Sequence, residues 1–248
     1  MSKWTKFGAA VLAVSTIVGC GSDSGGTTSL SQSEKTALTQ ALANTDFGGL
    51  ATYVVQVVGK VGTLDAAAVN ASISRALDHA LSLSVTGAQS ASYEGAVGIA
   101  MEATYQGQSV WFYGIIGWNG INTSNNTVDE ILLVGGAGDG TTLPASASGT
   151  IGQGDIFAFY EKLNGSTYDY FDGTSGNASV SASSFSGSTD CSASSSGITI
   201  DCSYSTGTMN GSFNFVAENI ESADTYTQPG VTFSGLPAVK LTLTITGG

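Results

Sequence analysis

Residues 238–246, AVKLTLTIT, decide the fold class of this 248-residue chain. Apolar side chains alternate with polar ones along the stretch, since Val239, Leu241, Leu243 and Ile245 fall on one side and lysine or threonine falls on the other. Successive side chains of a β-strand point to opposite faces of a sheet, so this period of two predicts a strand that is buried on one face.

The same period recurs from about residue 94 onward and predicts a series of strands. They are expected at residues 94–105, 108–118, 128–134, 156–163, 167–171, 178–185, 197–204, 211–220 and 238–246. Gln106-Gly107 and Asn164-Gly165 stand between neighbouring strands, where glycine favours a tight hairpin. Many short strands with close turns indicate an antiparallel meander of about 8–10 strands, closed as a barrel or folded as a sandwich.

Residues 31–86 carry helical patterns instead. Ser31 and Glu34 have the spacing of a capping box at a helix start. Residues 50–61 place apolar side chains three and four positions apart, although a strand also fits there, and an amphipathic segment follows from Asp65 and ends before Gly87. The sequence therefore predicts an α+β fold, mainly β, whose N-terminal helices pack on the sheet or plug one end of it.

The chain is strongly acidic, with 7 Lys and Arg against 19 Asp and Glu and a formal net charge of −12. Charged residues make up only 10% of it, so its solubility must depend on Ser, Thr, Asn and Gly. An anionic protein does not bind nucleic acid through bulk electrostatics, and we therefore expect no nucleic-acid partner.

The first 20 residues have the layout of a secretory signal peptide. Lys3 and Lys6 precede an apolar run from Phe7 to Val18, which at about a dozen residues is too short for a stable membrane-spanning helix. Ile17-Val18-Gly19-Cys20 follows and resembles the lipobox of bacterial lipoproteins. The alternative is an ordinary signal cleavage site with an incidental cysteine.

The lipobox resemblance implies that Cys20 becomes the first residue of the mature chain, with diacylglycerol on its thiol and an acyl chain on its amino group. Two or three acyl chains hold a protein stably on a membrane, whereas a single chain binds weakly. In Gram-negative members an Asp after the cysteine retains the protein at the inner membrane. Gly21 in that position implies the outer membrane or the cell surface.

Three segments follow from this interpretation. They are a signal peptide at 1–19, a lipid-attached flexible tether at 20–30, and a single helix-plus-β domain at 31–248, helical over 31–86 and β over 94–248. Loss of Lys3 and Lys6 with the signal peptide leaves five basic side chains against 19 acidic ones, a formal net charge of −14.

Cys191 and Cys202 flank ten residues, SASSSGITID, in a β-patterned part of the chain. An exported protein meets an oxidising compartment, so we expect these two thiols to form a disulfide. A metal pair or a redox-active dithiol fits less well, because the only histidine, His79, is distant in sequence.

The sequence contains no recognisable catalytic motif. Nucleophilic hydrolysis usually needs a histidine base, and His79 falls away from the apolar stripe of Val69, Ile73 and Leu77, which predicts that it faces solvent. Hydrolase, P-loop and dinucleotide-binding fingerprints are also missing from the sequence. We therefore expect no enzymatic activity and no cofactor beyond the lipid on Cys20.

Asp169 and Asp172, with Asn164 and Asn177 nearby, offer the oxygen ligands that a calcium ion prefers. Turn formation explains the same residues, because Asp, Asn and Gly are the usual residues of turns. Asp129-Glu130 is a weaker candidate, since adjacent side chains of a strand point to opposite faces.

Aromatic and amide side chains near the end of one predicted strand offer a ligand-binding surface. Trp111 and Tyr113 share a face, and Trp118 lies with Asn119 and Asn122 where the strand enters a polar loop. This set could stack on and hydrogen-bond to a sugar or a polymer. The alternative is that the rings fill the core, where aromatic side chains contribute much of the buried area.

Two hypotheses of function follow from these patterns. The first is a non-enzymatic, lipid-anchored envelope protein with a binding, adhesive or structural role, whose partner is a glycan, an envelope polymer or another protein. The second is a carrier that encloses an apolar ligand in a barrel or half-barrel. A filled interior favours the first hypothesis, and a continuous apolar cavity favours the second.

Overall fold

The computed structural model describes residues 28–44, 79–82, 85–90, 92–105, 107–139, 142–190, 193–195 and 198–247. Over these ranges the chain forms one α-helix, α1 (Gln32–Asn44), a helical turn at 79–82, and β-strands that join a single sheet. The strands are β1 (Thr28–Ser29), β2 (Val85–Ser90), β3 (Tyr93–Tyr105), β4 (Gln108–Asn122), β5 (Thr127–Asp139), β6 (Ser146–Thr150), β7 (Ile156–Asn164), β8 (Thr167–Asp190), β9 (Ala193–Ser195), β10 (Ile198–Asn219) and β11 (Thr225–Gly247).

The capping box predicted for α1 is confirmed. The backbone N–H of Ser31 donates to Oε2 of Glu34 at 2.7 Å, and the N–H of Glu34 donates to Oγ of Ser31 at 3.3 Å. These two bonds satisfy backbone donors that have no partner within the helix. The helix predicted at 50–61 and most of the one predicted after Asp65 lie outside the described residues.

The sheet closes into a barrel. Its strands follow the order β3, β4, β5, β7, β8, β10, β11 and back to β3, while β6 lies end to end with β7 along the same edge of β8. Neighbouring strands of this ring are antiparallel except β11 and β3, which pair in parallel from Ala238↔Gly98 to Ile245↔Tyr105. The mainly β fold is confirmed, and the predicted antiparallel pairing is found between all neighbours of the ring except this closing pair.

Three of the strands are far longer than the sequence pattern predicts. β8 spans 24 residues, β10 spans 22 and β11 spans 23. Register shifts interrupt each of them, for example between Met209 and Gly211 on β10. A bulge changes the phase of inward and outward side chains, so a continuous strand looks in the sequence like two separate ones.

The inner core fills the barrel, and every strand of the ring contributes to it. An ideal Cβ placed on Gly211 of β10 would overlap Cδ1 of Ile115 on β4, although β11 and β3 separate those two strands around the ring. Opposite walls are therefore in contact at this level. The large aromatic members of the inner core are Tyr93, Trp111, Tyr113, Tyr160, Phe171, Phe213, Phe215 and Phe233.

The outer core lies between the barrel wall and the helical residues. Leu38 and Leu42 of α1 pack with Leu81 against the outer faces of β3, β4, β5 and β11. The face predicted for β11 is confirmed here, since its four alternating apolar side chains from Val239 to Ile245 are buried. No helical segment in the described ranges has the length and apolar character of a membrane span.

Candidate functional site at one end of the barrel

Five polar and aromatic side chains converge at one end of the barrel. We call them the tyrosine cluster, and they are Tyr93, Glu130, Tyr160, Tyr226 and Gln228. The hydroxyls of Tyr93 and Tyr226 both donate to Oε1 of Gln228, at 2.5 and 2.8 Å, and the hydroxyl of Tyr160 donates to Oε1 of Glu130 at 2.9 Å. The rings of Tyr160 and Tyr226 stack with centroids 3.6 Å apart, and this contact joins the group around Gln228 to the group around Glu130.

The parallel closure of the barrel brings these residues together. Tyr93 begins β3, while Tyr226 and Gln228 lie in the first residues of β11, which runs in the same direction. Glu130 lies near the start of β5, and Tyr160 lies on β7, which pairs with it. Side chains from four strands therefore meet at a single end of the barrel, which we call the tyrosine end.

Asn119 connects the tyrosine cluster to the start of β3. Its Nδ2 donates to Oε2 of Glu130 and to the carbonyl oxygen of Ser92, each at 3.1 Å. Its Oδ1 accepts the backbone N–H of Glu94 at 2.9 Å. Asn119, which the sequence suggested as part of a ligand-binding surface, therefore belongs to a hydrogen-bonded network. Each carboxylate oxygen of Glu130 accepts from a different donor, Oε1 from Tyr160 and Oε2 from Asn119.

Burial controls the ionisation of the tyrosines. It raises the pKa of Tyr93, Tyr160 and Tyr226 above the usual value for a phenol, and the hydrogen-bonded carboxylate of Glu130 raises the pKa of Tyr160 further. A nearby negative charge disfavours a phenolate, as does loss of water. These side chains are neutral donors at neutral pH, so the cluster is suited to holding the barrel end together rather than to removing a proton from a substrate.

Alkaline conditions are expected to unfold the barrel. Burial beside Glu102 raises the pKa of Tyr113 to about 12. An unfolded phenol ionises near pH 10, so the buried neutral form stabilises the fold fully below about pH 10, and this stabilisation is lost as the pH rises towards 12. Titration followed by tyrosinate absorbance and circular dichroism should show ionisation and loss of β-structure together. Ionisation of all tyrosines near pH 10 with the sheet intact would contradict the buried network.

The predicted aromatic binding surface lies inside the protein. Trp111, Tyr113 and Trp118 are 8%, 0% and 0% exposed, with the first two in the inner core and Trp118 in the outer core. The hydroxyl of Tyr113 donates to the carbonyl oxygen of Pro144. The structure therefore supports the interpretation of these rings as core. Asn122 is exposed and accepts the N–H of Ser124 at 3.0 Å within the β4–β5 turn.

The two carboxylates proposed for calcium do not share a face. Asp169 and Asp172 are three positions apart on β8, so their side chains point to opposite sides of the strand. Asp169 accepts Nδ2 of Asn164 at 3.0 Å, which supports the turn interpretation, and burial raises the pKa of Asp172. No group of three or more His, Cys, Asp or Glu in the described part of the chain could hold a metal ion.

The cysteine and histidine predictions have different outcomes. Cys202 is buried and disulfide-bonded, whereas Cys191 lies outside the described residues, so their pairing stays a prediction. His79 is half-buried, and its ring centroid lies 4.6 Å from that of Tyr204 on β10. The prediction that His79 faces solvent is therefore wrong, because the helical turn packs this side against the barrel wall.

An uncharged polar row crosses the outer surface. Ser148, Ser179, Ser212 and Thr232 are exposed and paired in register across β6, β8, β10 and β11. Their hydroxyls are neighbours on a single face, because directly opposed residues of adjacent strands have Cβ atoms about 5 Å apart. This surface can hydrogen-bond to a partner without relying on charge.

Sequence reasoning missed Tyr93, Tyr160, Tyr226 and Gln228. The stretch TYTQP at 225–229 contains a period-two pair of large side chains, Tyr226 and Gln228, which is the signal that could have placed them on one face. Pro229 directly follows and obscures a strand, since proline cannot donate to a sheet ladder.

Comparison with protein-family models, curated proteins and solved structures found no match to this chain.

Proposed function

We propose that this chain is a lipid-anchored protein of the bacterial outer membrane or cell surface, and that its barrel has a binding, adhesive or structural role without enzymatic activity. The anchor is Cys20, and the proposal for it rests on the lipobox at 17–20. The partner is a glycan, an envelope polymer or another protein.

The filled interior of the barrel is the main evidence that its role is to bind a partner on the outer surface rather than to carry a ligand inside. Opposite walls touch at Gly211 and Ile115, and aromatic side chains occupy the inner core at several levels. At the tyrosine end, the phenols already donate to Glu130 and Gln228. An apolar ligand needs a continuous lumen, so this packing favours a partner on the outer surface over the carrier function.

The exposed row of Ser148, Ser179, Ser212 and Thr232 supports a neutral polar partner. A glycan or envelope polymer presents hydroxyl and amide groups that such side chains can hydrogen-bond. The acidic composition of the chain disfavours an anionic partner, because like charges repel at short range.

Replacing Cys20 with alanine is expected to release the protein from membranes or to leave it uncleaved. The reason is that acyl chains on Cys20 supply the membrane affinity. The measurement is fractionation of a Gram-negative host expressing the full chain, with mass spectrometry of the amino-terminal peptide for added acyl groups. The matched control is Gly21→Asp, which should remain lipidated and move to the inner membrane.

If the Cys20→Ala variant is cleaved to its mature size and still fractionates with membranes, the proposal that Cys20 is the lipid anchor is wrong. Native mass spectrometry of the gently extracted protein tests the other half of the proposal. If an apolar ligand stays bound in stoichiometric amount after the membrane lipids have been removed, the result would support the carrier function instead.

A further inference from the structure

We infer that the partner of the barrel is a linear, uncharged polysaccharide, and that it binds along a polar track on the outer faces of β8 and β10. The inference rests on the proposed function, because it names the partner and the binding surface of the same anchored barrel. The track consists of six outward side chains in three cross-strand pairs, Asn177↔Asn214, Ser179↔Ser212 and Ser181↔Asn210.

The strand register places all six side chains of the track on one outer face. The residues that alternate with them, such as Ala178, Val180 and Phe213, belong to the inner core, and successive side chains of a strand point to opposite faces. Five of the six track residues are exposed and the sixth is half-buried. Ser148 of β6 and Thr232 of β11 continue the middle pair on either side.

The fold does not use the polar groups at the centre of the track. Within the described part of the chain, the side chains of Asn177, Ser179, Ser212 and Asn214 form no hydrogen bond. Asparagine is depleted in strands, where β-branched and aromatic side chains pack best, so strand stability does not explain these residues. Their donors and acceptors are therefore available to a partner.

The chemistry of the track matches a partner that is rich in hydroxyl groups. A serine hydroxyl and an asparagine amide each both donate and accept hydrogen bonds, as a sugar hydroxyl does, whereas an ionised carboxylate only accepts them. Oδ1 of Asn210 accepts the backbone N–H of Gly235 at 2.8 Å. This bond holds the amide in place and leaves its two N–H donors for a partner.

Charge selects an uncharged polymer over an anionic one. The track itself contains no charged side chain, although the chain has a formal net charge of −12. Asp172 and Glu218 pair across the same two strands, about 13 Å beyond Asn214 along β10. A polymer that extends along the strands passes these carboxylates, which repel an anionic chain and do not repel a neutral one.

The size and composition of the track do not suit a protein partner. The track is about 13 Å long, and with Ser148 and Thr232 it is about 14 Å wide, so its area is on the order of 200 Å². A specific protein–protein interface buries about 800 Å² on each partner. The centre of such an interface is also rich in aromatic residues, Met and Arg and poor in Ser. A narrow polar strip suits a linear polymer instead.

The individual contacts are weak, and the membrane anchor compensates for this weakness. A hydrogen bond that replaces one to water adds little net affinity. Copies of the protein that are held on one membrane through Cys20 can engage neighbouring segments of a single polymer, and linked sites bind about 10²–10⁴-fold more tightly than single sites. We therefore expect strong retention of the anchored protein and weak binding of the detergent-extracted protein.

Co-sedimentation with insoluble polymers tests the inference. The full lipidated chain in phosphatidylcholine vesicles is mixed with microcrystalline cellulose or chitin, and with cross-linked carboxymethyl cellulose as the anionic comparison. We expect at least one of the two neutral polymers to retain the vesicles. Retention should persist in about 1 M salt, where the Debye length falls to about 3 Å, because no ion pair is involved.

Alanine variants locate the binding surface. The track variant replaces Asn177, Ser179, Ser212 and Asn214 with alanine, and its retention should fall at least about tenfold because the polymer loses its hydrogen-bonding partners on both strands. The matched control replaces four other exposed residues of β8 and β11 with alanine and should be retained like the native chain; these are Ser186, Ser188, Thr225 and Thr227. Circular dichroism checks that both variants fold. If the track variant does not fold, the single substitution Ser212→Arg should give the same loss by covering the middle of the track.

Retention of the track variant at the native level would overturn the inference, as would failure of both neutral polymers to retain the native protein. Preference for the anionic polymer, or release by salt, would also overturn it. Flotation of the native chain with the vesicles reports the anchor separately, and its failure would overturn the proposed function instead. If the detergent-extracted protein is a dimer that the track substitutions dissociate, the occupant of the track is a second copy of the chain and not a polysaccharide.

Discussion

Gly135→Ala is expected to destabilise the barrel by about 3 kcal/mol or more, or to prevent folding. Gly135 on β5 is buried opposite Gly114 on β4, and an ideal Cβ at this position would overlap the backbone carbonyl oxygen of Tyr113. A backbone atom cannot rotate away as the end of a side chain can, so the two strands must separate. Urea denaturation followed by tryptophan fluorescence measures the loss.

Gly230→Ala is the matched control for this substitution. Gly230 lies in β11, is exposed and has no neighbouring heavy atom within 4 Å of an ideal Cβ. We expect its unfolding free energy to change by no more than about 0.5 kcal/mol. Similar denaturation midpoints for the two variants would show that β4 and β5 are not packed as closely as described.

Gln228→Leu is expected to cost about 2–4 kcal/mol of unfolding free energy, because two phenols lose their shared acceptor. Gln228 is 3% exposed, so little water can replace the bonds from Tyr93 and Tyr226. An unpaired polar group in the interior costs more than a hydrogen bond contributes when it forms. The loss is measured by the same denaturation experiment.

Tyr93→Phe provides the control within the tyrosine cluster. In the native background it removes a single hydrogen bond and should cost about 1 kcal/mol. Combined with Gln228→Leu, it removes a stranded hydroxyl and should recover part of the stability. If the double variant is as unstable as the sum of the two single variants, the effect of Gln228→Leu does not arise from unpaired phenols.

The hairpins and the outer face of β11 were predictable because their signals are local. Gly107 and Gly165 have φ angles of 80° and 66°, and both occupy the predicted turns. A left-handed backbone conformation favours glycine, so the glycines in the sequence directly indicate these turn positions. The capping box at Ser31 and Glu34 is local in the same sense.

The full length of β11 was not predictable from alternation. Phe233 faces the inner core before Gly235, and Leu236 and Ala238 face it afterwards, so the inward positions change from odd to even numbers. Gly235 has a φ of 64°, and the register against β10 shifts at this point. A search for alternating apolar residues assumes that the inward-facing positions are all odd or all even. It therefore ends the strand at such a bulge, although the strand continues.

The tyrosine cluster depends on this missed part of β11. Tyr226 and Gln228 reach Tyr93 only because β11 closes on β3 in parallel, and no short-range signal specifies that pairing. The buried positions of Trp111 and Tyr113 were difficult to predict for a related reason. An apolar ring on one face of a strand indicates a buried face or a binding face equally well until the closure of the sheet is known.

The closing pair also determines how the chain must fold. Gly98 and Ala238 meet across most of the sequence, which gives the barrel a high contact order, and topologies of this kind fold slowly because loop-closure entropy is lost before the closing contacts form. Until β11 has paired with both β3 and β10, the edges of these two strands remain open to pairing with other chains. Pairing of β11 with β3 is therefore the step that converts an intermediate with open edges, which are prone to aggregation, into a closed barrel.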